Sequence, residues 1–137
     1  MAGYSGTPLP TKLGIKPGHH VAFPGAPPEF AAALGELPAD VSAVETSDAS
    51  RVDVAVFFTT GADELRGAFP TWGPAVAPAG ALWIAWPKKS SGVATDLNEN
   101  VVREIGLAAG MVDVKVCAID DTWSGLKFVY RLADRPR

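Results

Sequence analysis

A single cysteine stands in 137 residues. Cys117 therefore cannot close a disulfide within the chain, and no cysteine-built zinc site is available. A basic excess is lacking too. The net charge is −3, whereas a nucleic-acid-binding domain carries a strongly basic surface, so no nucleic-acid partner is expected. No apolar run approaches the ~18 residues that read as a membrane span, and the first residues show no basic segment leading into an apolar one. No membrane contact is expected, and the cytoplasm is the expected location. The most telling scarcity is local. The turn after the first predicted strand reads Phe23-Pro24-Gly25-Ala26-Pro27-Pro28. A dinucleotide-binding turn uses several glycines there, so that the backbone approaches a phosphate and points N–H groups at it. Here one glycine stands among three prolines, and proline has no N–H to offer.

What is present suits a packed α/β domain. Hydrophobic residues make up 47% of the chain, and the length fits one domain over 1–137, with 1–7 as a loose N-terminal arm. A short helix is predicted from Pro8 to Ile15, a strand from His20 to Phe23, a helix opened by Pro28, and a weak strand from Val41 to Val44. Val52 to Phe58 is a nearly continuous apolar run, as in a parallel strand covered on both faces. Leu65, Phe69, Trp72 and Val76 recur on one helical face within a helix from Gly61 to Ala77 that Pro70 should kink. Pro78-Ala79-Gly80 predicts a turn into the strand Ala81 to Trp86. Asp96 and Glu99 form a capping-box pattern before a helix with a stripe of Leu97, Val101, Ile105 and Ala108, ended by Gly110. A strand from Val112 to Ile119, a turn from Asp120 to Gly125 and a strand from Leu126 to Leu132 close the chain. Alternating strands and helices imply a single Rossmann-like, three-layer α/β domain. Its sheet should be mostly parallel, of about six strands, with an antiparallel C-terminal strand. Cys117 falls on an alternating strand pattern and reads as a buried, inert thiol. Trp72, Trp83 and Trp86 read as core.

Residues 52–132 resemble the C-terminal half of class I S-adenosylmethionine-dependent methyltransferases. The features are a strand at Val52–Phe58, a helix ending at Pro78-Ala79-Gly80, the strand Ala81–Trp86, a helix ending at Ala108-Ala109-Gly110, and a final strand pair. The resemblance implies a reduced methyltransferase-like topology, because the chain runs from Val44 to Val52 with no room for a further strand–helix unit. It also implies that Glu45 matches the family's ribose-binding acid, beside a turn that lacks the family's acidic and glycine-rich pattern. Nearly the whole chain resembles a bacterial domain-of-unknown-function family. That resemblance runs through Tyr4-Ser5-Gly6-Thr7-Pro8-Leu9, Lys12-Leu13-Gly14-Ile15, Trp86-Pro87-Lys88, Ser91 to Leu97, Val112 to Val116 and Asp121 to Phe128, and it implies no activity.

In an open α/β sheet, ligands sit beyond the carboxyl ends of the parallel strands, where strand order reverses. The residues expected there are Pro24 and Gly25, Glu45 and Thr46, Thr59 and Thr60, Trp86 to Ser91, and Asp120 to Trp123. Lys88, Lys89, Ser90 and Ser91 precede a helix and could hold an anion, or form a solvated loop. Asp120 could serve as acid, base or ligand, or simply build a turn. Trp123, expected in that turn, could line a pocket or anchor a partner. His19 and His20 read as surface residues at the amino end of the first strand, and no metal site is expected. The proline-bearing turn, with no convergent catalytic set, favours a non-catalytic interaction or self-association domain that holds no cofactor and does not bind S-adenosylmethionine. Tyr4 or Trp123 would then contact a protein partner or a second copy. The alternative is a binder of, or an enzyme acting on, a nucleotide-like or phosphorylated compound, with Gly25, Thr59, the Lys88–Ser91 loop, Asp120 and Trp123 around it.

Overall fold

The computed structural model describes residues 8–44 and 52–131. They run α1 (Leu9–Leu13), β1 (His20–Ala22), α2 (Phe30–Leu34), β2 (Ser42–Ala43), β3 (Val52–Phe58), α3 (Ala62–Trp72), β4 (Val76–Pro87), α4 (Glu99–Ala108), β5 (Met111–Ala118) and β6 (Trp123–Tyr130). The strands form one sheet in the order β2-β1-β3-β4-β6-β5. β1 to β4 pair in parallel, and β6 runs antiparallel to β4 on one side and β5 on the other. This is the expected mostly parallel α/β sheet.

Alternation along β4 shows how the layers are made. Leu82, Ile84 and Trp86 face a core shared with Leu65, Phe69 and Trp72 of α3 and Val102 of α4. Ala81, Trp83 and Ala85 face the opposite core, with Leu9 and Leu13 of α1 and Phe30 and Leu34 of α2. Period-two side chains thus bury both faces of one strand. Trp83 is fully buried, and its indole Nε1 donates to the Leu13 carbonyl at 3.0 Å, which pins α1 to the sheet. Trp72 and Trp86 are buried as expected.

Four local readings are corrected. Pro78-Ala79-Gly80 lies inside β4, where the register with β3 shifts between Val52↔Val76 and Val54↔Ala81. Gly80 is required there because a Cβ would stand 2.5 Å from the Asp53 carbonyl oxygen. Asn98, not Asp96, caps α4, its side chain accepting from Val101 N–H at 2.9 Å. Of the expected α4 stripe, Leu97 is buried and Val101 and Ile105 pack against the core, but Ala108 is exposed, and Val102 and Gly106 are the buried positions within the helix. Trp123 opens β6 and is only 9% exposed, so it is no exposed turn contact. Tyr4 and the other residues of 1–7 lie outside the described residues.

Candidate functional site

The sheet reverses direction at β1. Its β2 neighbour lies on one side, and β3, next in the chain, lies on the other. The carboxyl ends of β1 and β3 therefore flank the place where open α/β sheets take ligands. Phe58 N–H donates to the Pro24 carbonyl at 3.0 Å, and Ala26 N–H to the Phe23 carbonyl at 3.2 Å. These bonds lay the turn down on the end of β3. Gly25, exposed at the tip, has φ +75°, and a Cβ on it would stand 2.6 Å from the Phe58 carbonyl oxygen. Both the left-handed backbone and the close approach demand glycine.

Next to this turn, the buried Thr59 donates its hydroxyl to Glu64 Oε1 and accepts from Gly61 N–H at 3.2 Å. Asp96 Oδ1 accepts from Ala62 N–H at 2.9 Å, and the Thr95 hydroxyl donates to the Thr60 carbonyl at 2.6 Å. Asp96 thus caps α3 from across the chain, satisfying a donor that a helix start leaves open. Asp63 and Glu64 fill the first turn of α3. The carboxylates collect at the positive end of that helix, and they give the rim beside Gly25 and Thr59 a negative charge. Sequence reading missed Glu64 and Asp96. Acids in a first helical turn are common, so Glu64 carried no distinguishing signal, and the bond of Asp96 spans 34 residues.

The other expected residues sit further along the strand ends. Lys89–Ser91 form one 3₁₀ turn. Ser91 donates its hydroxyl to the Lys88 carbonyl at 2.7 Å and accepts from Val93 N–H at 3.1 Å, so the loop itself uses that hydroxyl. Lys89 and Ser90 are exposed. Lys88 N–H donates to the Thr122 carbonyl at 2.7 Å, which brings the Lys88 loop and the Asp120 turn together. Asp120 Oδ1 accepts from both Thr122 and Trp123 N–H at 2.8 Å, building the turn. Glu45 and Thr46 lie outside the described residues. An aromatic row runs beneath the rim. Phe23 meets Phe30 at 5.1 Å, Phe30 meets Phe58 at 4.8 Å, and Phe58 meets Trp123 at 5.2 Å, all edge to face. The Trp123 Nε1 is buried without an acceptor among the described residues, a condition that costs about 1–3 kcal/mol. His19 and His20 lie at the opposite, amino end of β1, where His20 N–H donates to Asp53 Oδ2 at 2.8 Å.

No protein-family model matches the chain, and no curated protein sequence matches it. Solved structures do. A TehB-like S-adenosylmethionine-dependent methyltransferase from Corynebacterium glutamicum superposes with a TM-score of 0.59 at 9% identity, over 95% of this chain and 91% of that one. A S-adenosylmethionine-dependent methyltransferase from Aquifex aeolicus gives 0.59 at 15% identity, over 86% and 85%. Magnesium protoporphyrin IX methyltransferase from Synechocystis, with bound S-adenosylhomocysteine, gives 0.54 at 11% identity, over 84% and 75%. The fold is a methyltransferase-like Rossmann α/β fold. At these identities the likeness establishes architecture. It also overturns the expectation of a non-catalytic interaction or self-association domain, because these three proteins, which share the architecture, are named as methyltransferases. The physical flaw in that expectation is specific. It treated amide donors as the general grip of such folds, yet those donors serve phosphate, and S-adenosylmethionine has none. No helix among the described residues is long and apolar enough to cross a membrane.

Proposed function

We propose that the chain binds S-adenosylmethionine at the carboxyl ends of β1 and β3 and transfers its methyl group to an acceptor. The observation that carries the reading is the reversal of strand order between β1 and β3, with Gly25 exposed at the tip of the turn it creates. The surrounding charge fits the donor's chemistry. A turn with three prolines forfeits a phosphate, while Glu64 and Asp96 beside it favour a sulfonium or ammonium cation. When bound, S-adenosylmethionine supplies an electrophilic methyl group on sulfur. The chain's part is to bind and orient. Thr59, buried and donating to Glu64, holds that carboxylate on the rim, and the aromatic row of Phe23, Phe30 and Phe58 backs the site with an apolar wall. The resemblance to class I methyltransferases assigns Glu45 to the ribose hydroxyls.

Isothermal titration with S-adenosylhomocysteine tests the reading. The wild-type chain should bind saturably and melt higher with ligand, by the ligand-linkage relation that gives about 2.7 kcal/mol at a hundredfold excess over Kd. Glu45→Gln and Glu64→Gln should each weaken binding, read as a higher Kd in the same titration. Absence of heat and of any melting shift in the wild-type chain would refute it.

A further inference from the structure

The hairpin β5–β6 carries a cluster of lysines that the strand-end site does not use. Lys115 on β5 stands directly opposite Lys127 on β6. Like charges in register across neighbouring strands are destabilising. The side chain of Lys127 reaches to α1, its Nζ lying 3.9 Å from where a Cβ on Gly14 would be. Lys12 sits in the last turn of α1, and Lys16 follows two residues after Gly14. Lys115 and Lys127 share a sheet face with Cys117 and Gly125, and a Cβ on Gly125 would touch Trp83 and Ile119, so this is the α1 side of the sheet. Among the described residues, Lys16, Lys115 and Lys127 enter no salt bridge.

Two plain explanations cover only part of this. Lysine on an exposed edge strand guards against edge-to-edge pairing, which accounts for Lys115 on β5, the last strand of the sheet. Lys127, however, lies on β6, an inner strand, and is half-buried. A cation near a helix carboxyl end gains from its carbonyls, but α1 has five residues and Lys12 already stands in its last turn. Burial, then Lys115 and Lys16, all hold the Lys127 ammonium below the ordinary lysine range. The protonated cluster is thus costly, in a chain whose net charge is −3.

We propose that the α1-side face of the β5–β6 hairpin is a second binding site, which takes a multiply charged phosphate group through Lys16, Lys115 and Lys127. An oligophosphate supplies several oxyanions within the span of one strand pair, so it neutralises lysines that otherwise repel one another. Surface anion sites of this kind weaken as salt screens them.

The probe is inorganic tripolyphosphate, titrated calorimetrically into the full chain at low salt and again at roughly 0.15 M salt, where the screening length is ~8 Å. Binding is expected at low salt and should weaken about tenfold at the higher salt. The double substitution Lys115→Gln with Lys127→Gln should abolish it, while Lys115→Arg with Lys127→Arg should keep it. Lys88→Gln with Lys89→Gln should leave it unchanged, which separates this face from the strand ends. The Gln variant should also melt no lower than wild type, because a repulsive pair has been removed. Failure of the wild type to bind, binding that survives the Gln pair, or loss through Lys88 and Lys89 would each overturn the proposal. So would a fall in the Gln variant's melting point, since the lysines would then serve the fold. None of these outcomes depends on whether S-adenosylhomocysteine binds.

Discussion

Replacing Gly25 by alanine tests the geometry on which the candidate site rests. Two costs add at this position. The residue holds φ +75°, and an L residue in left-handed backbone pays about 1–2 kcal/mol. The added Cβ would also stand 2.6 Å from the Phe58 carbonyl oxygen, and that oxygen belongs to β3, which is paired on both sides and cannot recede. The turn must lift instead. Lifting it stretches the bond from Phe58 N–H to the Pro24 carbonyl, a loss of about 0.5–1.5 kcal/mol. The total is roughly 1.5–3.5 kcal/mol. For a chain of this length each kcal/mol lowers Tm by about 3–5 °C, between the values for smaller and larger domains, so a fall of roughly 5–17 °C is expected.

The control is Gly92→Ala. Gly92 has φ +76° and ψ −1°, and nothing lies within 4 Å of its missing Cβ. It carries the conformational cost alone, about 1–2 kcal/mol. Circular dichroism melts of the two variants against wild type therefore isolate the close approach as a difference. If Gly25→Ala and Gly92→Ala fall by the same amount, the turn does not lie on Phe58 and the reasoning fails.

Two further outcomes follow from the packing. Gly106→Ala in α4 would put a Cβ 2.0 Å from Cε1 of Phe128, a fully buried ring held edge to face by Phe69 at 5.2 Å. Overpacking at about 1–3 kcal/mol should outweigh the ~1 kcal/mol that alanine gains over glycine in a helix, and an unchanged or raised urea midpoint would contradict this. Burial pushes the Cys117 thiol up, with Lys12 and Lys115 pulling weakly the other way, so iodoacetamide at neutral pH should label it more slowly than the urea-unfolded chain. The raised value means that the fold favours the neutral thiol. Its contribution to stability is complete below the ordinary thiol range and is lost as pH rises from there through the raised folded-state range, and equal labelling rates would refute the shift.

The sheet was legible because its strands speak locally. The apolar run at Val52–Phe58, broken only by Asp53, and the wholly apolar run at Ala81–Trp86 are the patterns that burial on both faces enforces. What failed were signals with two physical origins. Ser124-Gly125 reads as turn chemistry, but Gly125 is glycine because Trp83 and Ile119 lie 3.1 Å and 3.0 Å from its missing Cβ; the real turn is built one step earlier by the Asp120 carboxylate. Pro78-Ala79-Gly80 reads as a turn for the same reason, while Gly80 in fact admits the backbone of Asp53 inside a bulged strand. Asp96 with Glu99 satisfied a capping pattern, yet the carboxylate serves a different helix and leaves the cap to Asn98. Within the candidate site, Gly25 was visible as the lone glycine of its turn. Glu64 and Asp96 were not, since only tertiary folding brings them beside Thr59.

The same distinction limits what total charge can exclude. A net charge of −3 is a sum, and a ligand meets a face. At the start of α3 the carboxylates of Asp63, Glu64 and Asp96 stand together, Asp63 held by Arg66 at 2.7 Å, whereas the β5–β6 hairpin presents Lys115 and Lys127 in register. The two proposals assign these faces ligands of opposite charge. Three prolines after β1 take away amide donors that a phosphate needs, whereas a sulfonium needs none. The lysines across the hairpin repel a cation and suit a phosphate. Salt separates the two proposals in practice, because attraction to exposed lysines is screened as salt rises, whereas the part of an affinity that comes from apolar burial is not. A chain that bound both probes with equal salt dependence would show that neither face works in the way its charges require.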